Sequence, residues 1–290
     1  MAIFALWAGL FCLAPLVPRA SADSAGISAT RAGTLSIEAM TSPEVAAAIR
    51  AGRRTIILPT GGIEQNGPHL ALGKHNAIVA LTAQAIAAEL GDALVAPVIA
   101  VTPQGDVARR EGHTAFAGTI TIPPAVFEAV LRAHVESFAA HGFTTILIIG
   151  DSGPAQAPQA RLAEAMDREL APRGVRVLAL GDYYAENGGE EHLVRRGHTR
   201  EVSGRHAGLR DTAELLAAGP ALVRLDLFTG ATPGVDGDPP RATSALGEEL
   251  LQLKVAAAVH EARRRLAEPR HSAAGRSSGM LGWLASLFPG

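Results

Sequence analysis

Hydrophobic and polar positions along the chain form two alternating kinds of segment. Short unbroken apolar runs predict buried strands at residues 54–59, 94–101, 144–149 and 175–180. Around them, apolar residues recur every three or four positions, which predicts helices that begin at Ser42, Asn76, Pro124 and Pro158. Unbroken apolar strands that alternate with helices are typical of a parallel sheet covered on both faces, so the predicted fold class is α/β.

Two loops stand out because ligands of such sheets bind outside the carboxyl ends of the strands. They follow Pro59 and Ile149. The first loop is glycine-rich and carries Glu64, His69 and His75. Carboxylate oxygens and imidazole nitrogens suit zinc, manganese or a similar divalent ion. Alternatively, this glutamate and the two histidines are only the polar side chains that an ordinary surface loop carries.

The first loop also resembles a sequence block of the creatininase family. Over seventeen positions, 59–75, it follows the pattern Pro-x-Gly-x-x-Glu-Gln-His-Gly-Pro-His-Leu-x-Leu-Gly-x-Asp. Further blocks similar to the family's follow in the same order at residues 113–119, 204–212 and 234–243. The resemblance implies a three-layer α/β/α sandwich with a mainly parallel central sheet, often in a homo-oligomer. It also implies that divalent ions assist hydrolysis of the C–N bond of a small cyclic or linear amide.

The chain departs from the family at the metal-ligand positions. In the family pattern, one ion is held by the Glu, by an Asp eleven residues on, and by a His after a later strand. Here Glu64 is kept, but His75 stands at the Asp position and Asp151 at the His position. The family's second ion shares that Asp and adds a His and a Glu, which are replaced here by Asn66 and Gly153.

These replacements predict one divalent ion, zinc or manganese, held by Glu64, His75 and Asp151. An imidazole has one lone pair and cannot bridge two ions as a carboxylate can, so loss of the second ion is expected. The alternative is drift after loss of catalysis, which would leave a degenerate family member that binds a small molecule or a partner.

The remaining family blocks suggest roles for further residues. His206 matches the family's proton-transfer histidine, and it is expected to protonate the leaving nitrogen. His69 and His113 are expected beside the ligands, either orienting a ligand carboxylate or in purely structural hydrogen bonds. Asn66 and Asp211 complete the set expected around the ligands or the substrate.

The first 22 residues predict a signal peptide. An apolar run ends near Val17, and Ala20-Ser21-Ala22 forms an A-x-A cleavage signature, so the protein is expected to be periplasmic or secreted. An uncleaved anchor is the alternative. The only cysteine, Cys12, lies in this segment, which leaves His, Asp and Glu to hold any metal.

The other regions add little to the predicted chemistry. Residues 23–267 are expected to form the family domain, and residues 268–290 a flexible tail. The short apolar end of this tail could weakly contact a membrane or a partner; the alternative is a disordered end or a patch docked on the same protein. Residues 181–203 are charged and are predicted to be a solvated surface excursion. The net charge of −2 gives no broad positive field, so nucleic acid is not an expected partner.

Overall fold

A parallel sheet lies at the centre of the computed structural model, which describes residues 34–269. The proposed signal peptide and residues 270–290 of the proposed tail lie outside the described residues. Helices and strands follow one another in the order α1 (Ser42–Arg50), β1 (Thr55–Thr60), α2 (Lys74–Leu90), β2 (Ala93–Val95), α3 (Pro124–His141), β3 (Thr145–Gly150), α4 (Gln156–Leu170), β4 (Arg176–Ala179), α5 (Gly189–Arg195), α6 (Arg200–Ser203), α7 (Leu209–Ala218) and α8 (Ser244–Ala267).

The strand order is β2-β1-β3-β4, and every neighbouring pair is parallel, as the sequence predicts. Because β1 and β3 are adjacent and in register, their carboxyl ends lie side by side, with Thr60 opposite Gly150. The two loops selected from the sequence therefore leave the same edge of the sheet.

Helices cover both faces of the sheet. Alternate strand side chains point to opposite faces. On β1, Ile56 packs in a core with helices α1, α3 and α4, whereas Ile57 packs on the other face with α2 and α8. This arrangement is the α/β/α sandwich that the resemblance implies.

Local sequence explains where the helices begin and end. The Thr41 and Glu44 side chains form a capping box at the start of α1. Helices α2 and α3 are each followed directly by a glycine, Gly91 and Gly142, whose φ angles of 83° and 101° lie in the left-handed region that favours glycine.

Two predictions about segments need correction. The strand predicted at residues 94–101 is shorter, Ala93–Val95, because Pro97 has no N–H to donate to a ladder. Residues 181–203 are not simply solvated, since they form helices α5 and α6 and bury Tyr183 and Leu193 completely. Within residues 34–269, no helix is both long and apolar enough to cross a membrane.

Candidate active site

The loop from β1 to α2 places Glu64 at the carboxyl edge of the sheet, where its side chain is buried. Asn66 Nδ2 donates to the Glu64 carbonyl at 2.9 Å, whereas Asn66 Oδ1 is buried without a hydrogen-bond partner. Gly67 follows with a φ of 64°, and a Cβ there would clash with Val235 Cγ2. The tight turn at Gly67 therefore requires glycine.

His75, at the start of α2, lies between two carboxylates. Its Nε2 donates to Glu64 Oε1 at 2.7 Å, and its Nδ1 donates to Asp151 Oδ2 at 2.8 Å. Burial and the nearby Lys74 lower the pKa of His75, but the two carboxylates outweigh them and raise this pKa to about 9. His75 is therefore an imidazolium at neutral pH.

Asp151 is held from the other side by Lys254 of α8. The Lys254 ammonium donates to Asp151 Oδ1 at 2.7 Å and to Glu214 Oε2 of α7 at 2.6 Å, and all three side chains are buried. Burial disfavours the charged lysine, but the two carboxylates raise its pKa well above the usual range. Tyr183 also donates to Asp151 Oδ1, at 3.1 Å.

These groups belong to a longer chain of alternating charges, which we call the charge network. Arg210 pairs with Glu214 at one end, and Lys74 pairs with Asp211 at the other. With His75 protonated, four positive groups face four negative ones: Lys74, His75, Arg210 and Lys254 against Glu64, Asp151, Asp211 and Glu214. The network is electrically balanced by the chain's own side chains.

The structure brings the predicted ligands Glu64, His75 and Asp151 together, but in a row instead of around a common point. An imidazolium has no lone pair, so His75 could hold an ion only after losing a proton and one of its hydrogen bonds. As they stand, these three side chains do not fit an ion. Their role as ligands stays a prediction.

Two further histidines lie near the Glu64 carboxylate, His113 at the oxygen that His75 does not use and His206 at the oxygen that accepts from His75. His113 Nε2 lies 3.5 Å from Glu64 Oε2, and His206 Nδ1 lies 3.7 Å from Glu64 Oε1. Ligand atoms of the three residues all lie within 4.8 Å of one another, close enough to hold a metal ion. The two histidines are partly exposed, at 24% and 19%, so this group, the mouth cluster, opens to solvent.

Backbone contacts hold the mouth cluster in place. Ile120 N donates to Ile63 O, which ties the segment after His113 to the loop that carries Glu64. His206 is fixed by Asp236, whose N–H donates to the His206 carbonyl at 2.8 Å.

Both histidines of the cluster are neutral at pH 7. Burial and Lys74 lower the pKa of His206 to about 4, and burial also lowers the pKa of His113. His206 Nε2 donates to the Gln65 carbonyl at 2.8 Å, which leaves the lone pair of the neutral ring on Nδ1, facing Glu64.

The remaining predicted residues serve the surrounding loops. His69 Nε2 bonds with Thr212 Oγ1 at 3.1 Å, and both side chains are fully buried, which is the structural alternative considered for His69. Asp211 accepts from Lys74 and from the Ala207 N–H. Since Ala207 has an unusual φ of 53°, Asp211 stabilises the turn that follows His206.

Sequence reasoning missed Lys254 and its partner Glu214. A signal for Lys254 exists, because it interrupts an apolar stripe at helical spacing with Leu250, Leu251 and Ala258. A lysine at such a position must be buried against counter-charges or disrupt the core.

Sequence comparison relates the chain to a known family. A family model described as creatininase, creatinine amidohydrolase, matches residues 38–262. A mycofactocin precursor peptide peptidase of Mycolicibacterium smegmatis is 27% identical over 206 residues, covering 67% of this chain and 78% of the relative. The peptidase of the same description from Mycobacterium ulcerans is 29% identical over 215 residues, covering 68% and 79%.

Solved structures share the fold. A creatinine amidohydrolase (creatininase) matches with a TM-score of 0.68 at 21% identity, covering 81% of this chain and 99% of the other. A structure described as creatininase Mn gives the same score and identity, covering 81% and 100%. A creatininase mutant of Zn-Zn type gives a TM-score of 0.65 at 21% identity, covering 81% and 99%. At this identity, the matches establish the fold.

Proposed function

The chain belongs to the creatininase family, and we propose that it is an exported hydrolase of the C–N bond of a small cyclic or linear amide, assisted by one zinc or manganese ion. The observation that carries the proposal is the mouth cluster. It joins a buried, ionised glutamate to two neutral, solvent-facing histidines at the carboxyl edge of a parallel sheet. The mycobacterial relatives are described as peptidases, so the proposed substrates include peptide-like amides.

When bound, a divalent ion would polarise the scissile carbonyl and lower the pKa of a water molecule to about 7. The chain's own residues prepare the site. Burial raises the pKa of Glu64, but His75 and Lys74 outweigh it and lower this pKa to about 2. Glu64 is therefore ionised at all physiological pH values, and its carboxylate oxygens can act as metal ligands.

His206 has one atom free for chemistry, Nδ1. Because this lone pair faces Glu64, it could take up a proton and pass it to the leaving nitrogen, as the sequence predicts. The same lone pair could instead bind the ion, but it can serve only one of these purposes at a time.

Hydrolysis can be tested on the purified chain with a panel of cyclic amides and short peptides, after chelation and after re-addition of zinc or manganese. We expect turnover that requires metal and is lost in Glu64→Gln. Glu169→Gln, which changes an exposed glutamate, is the matched control. Absence of turnover with both metals over the whole panel would refute the enzyme proposal.

A second candidate is a non-catalytic family member that binds a small molecule or a partner at the mouth cluster. The balanced charge network favours it, because Glu64, His75 and Asp151 are satisfied without an ion. It predicts that an amide raises the melting temperature of the protein without being cleaved.

Export and assembly are further parts of the proposal. Residues 1–22 support export, and amino-terminal sequencing of the protein from the periplasm or medium should start near Asp23. The family resemblance supports a homo-oligomer, which light scattering on the purified protein would measure.

A further inference from the structure

We propose that this chain holds its divalent ion between Glu64, His113 and His206, and not among Glu64, His75 and Asp151. The inference rests on the proposed function, since it names the ligands of the ion invoked there. In this assignment, His113 and His206 are ligands, although neither stands at a ligand position of the family pattern. It also replaces the proton-transfer role predicted for His206.

The charge network leaves no place for the ion on the buried side of Glu64. Both nitrogens of His75 are bonded to carboxylates, and Asp151 uses one oxygen for His75 and the other for Lys254 and Tyr183. An ion among these groups would displace the hydrogen bonds of His75 to its two carboxylates and would add two positive charges beside the buried Lys254 ammonium. Such uncompensated charge is strongly unfavourable in a buried site.

The mouth cluster offers what the network lacks. His206 Nε2 is bonded to the Gln65 carbonyl, whereas His206 Nδ1 has no hydrogen-bond partner among the described residues, and Glu64 Oε2 faces only the Nε2 of His113 there. His113 Nε2 lies 3.5 Å from Glu64 Oε2 and His206 Nδ1 lies 3.7 Å from Glu64 Oε1, close to the roughly 3.4 Å between neighbouring ligands of a tetrahedral zinc ion. With one ligand atom taken from each residue, all three atoms lie within 4.8 Å of one another. Partial exposure of both histidines leaves room for water and substrate.

The hydrogen bond between Gln65 and His113 opposes binding of the ion, and Gln65 therefore controls the affinity of the site. Gln65 Nε2 donates to His113 Nδ1 at 3.2 Å, and Gln65 Oε1 accepts from Gly67 N at 3.0 Å. In this arrangement the single proton of neutral His113 lies on Nε2, toward Glu64. To bind an ion through Nε2, His113 must carry that proton on Nδ1, and the Gln65 amide must turn.

A carboxylate at position 65 would remove this obstacle. In Gln65→Glu, one oxygen can accept from Gly67 N while the other accepts from a protonated His113 Nδ1. Carboxylate partners of this kind orient histidine ligands and raise their basicity. Gln65 is therefore inferred to be a positioning residue that keeps the affinity for the ion low.

Direct metal binding tests the ligand set. Equilibrium dialysis of the full chain against Zn²⁺ and Mn²⁺, with elemental analysis, should give one ion per chain. His113→Ala and His206→Ala should each weaken binding at least about tenfold. His192→Asn, at a histidine that pairs with Glu249 on another surface, should not. No bound ion, or an unchanged affinity in both alanine variants, would overturn the proposal.

The variant Gln65→Glu tests the same site through a gain of affinity for the ion, and not through a loss. Gln65→Glu should bind Zn²⁺ about tenfold more tightly, and this gain should vanish in the His113→Ala background. A gain that persists without His113, or no gain, would contradict the geometry. If the ion binds as proposed but no amide is cleaved, the proposed function fails while the ligand assignment stands.

Discussion

The two sides of Glu64 differ in how charge is satisfied. On the buried side, every carboxylate of the charge network is paired with a cation of the chain, above all His75 and Lys254. On the mouth side, two neutral histidines face the same glutamate and reach solvent. The chain's own cations therefore satisfy the buried side, whereas the side that reaches solvent keeps atoms able to bind an ion.

The largest expected effect comes from removing the central cation of the network. Lys254→Met keeps most of the side-chain volume but leaves Asp151 and Glu214 without their ammonium. Breaking a buried ion pair by removing one partner costs about 3–5 kcal/mol, so the free energy of unfolding should fall by this amount. Urea unfolding of the chelator-treated protein measures it.

Arg264→Met is the matched control, since Arg264 lies on the same helix with about half of its side chain exposed. Exposed ion pairs contribute at most about 1 kcal/mol, so the control should change little. Adding Glu214→Gln to Lys254→Met should recover part of the loss, because it removes the excess negative charge that Lys254→Met leaves in the network. Equal stability of Lys254→Met and Arg264→Met would show that the network does not stabilise the fold.

The pH dependence of stability tests His75. Its folded pKa of about 9 lies above the ordinary value of 6.5, so its contribution is fully present below pH 6.5 and is lost as the pH rises through 9. The shift corresponds to at most about 3 kcal/mol. Unfolding curves of chelator-treated protein at a series of pH values should show this decline.

In His75→Gln the decline between pH 6.5 and 9 should be largely absent, because the replacement does not titrate. If the parent and the variant lose stability in parallel, His75 is not the group responsible and is not protonated in the folded state.

The sequence predicts the scaffold better than it predicts the network. Helix α3 lies where its pattern places it, from Pro124 to His141, and β1 and β3 differ from their predicted ranges by one residue at each end. These elements carry their own signals in apolar periodicity and in the glycines that end them. The strand that ends at Val95 is shorter than predicted because Pro97 interrupts the ladder.

The contacts of the site depend on tertiary packing. Lys254 meets Glu214 and Asp151, which lie 40 and 103 residues away, because α7 packs against α8 beneath the loop after β3. Family blocks single out His113 and His206 one by one. Only the folded chain shows that they meet at Glu64, since each lies on a separate loop.

The smallest expected effect on stability comes from the mouth cluster. In the absence of metal, His113→Ala loses the contact with Gln65 and a long contact with Glu64, both partly exposed. A single hydrogen bond of this kind contributes about 1 kcal/mol, so the free energy of unfolding should fall by no more than that. The same urea titration that tests Lys254→Met measures it. If His113→Ala lowers the free energy of unfolding as much as Lys254→Met does, the mouth cluster stabilises the fold as strongly as the charge network, and the contrast between the two sides of Glu64 is wrong.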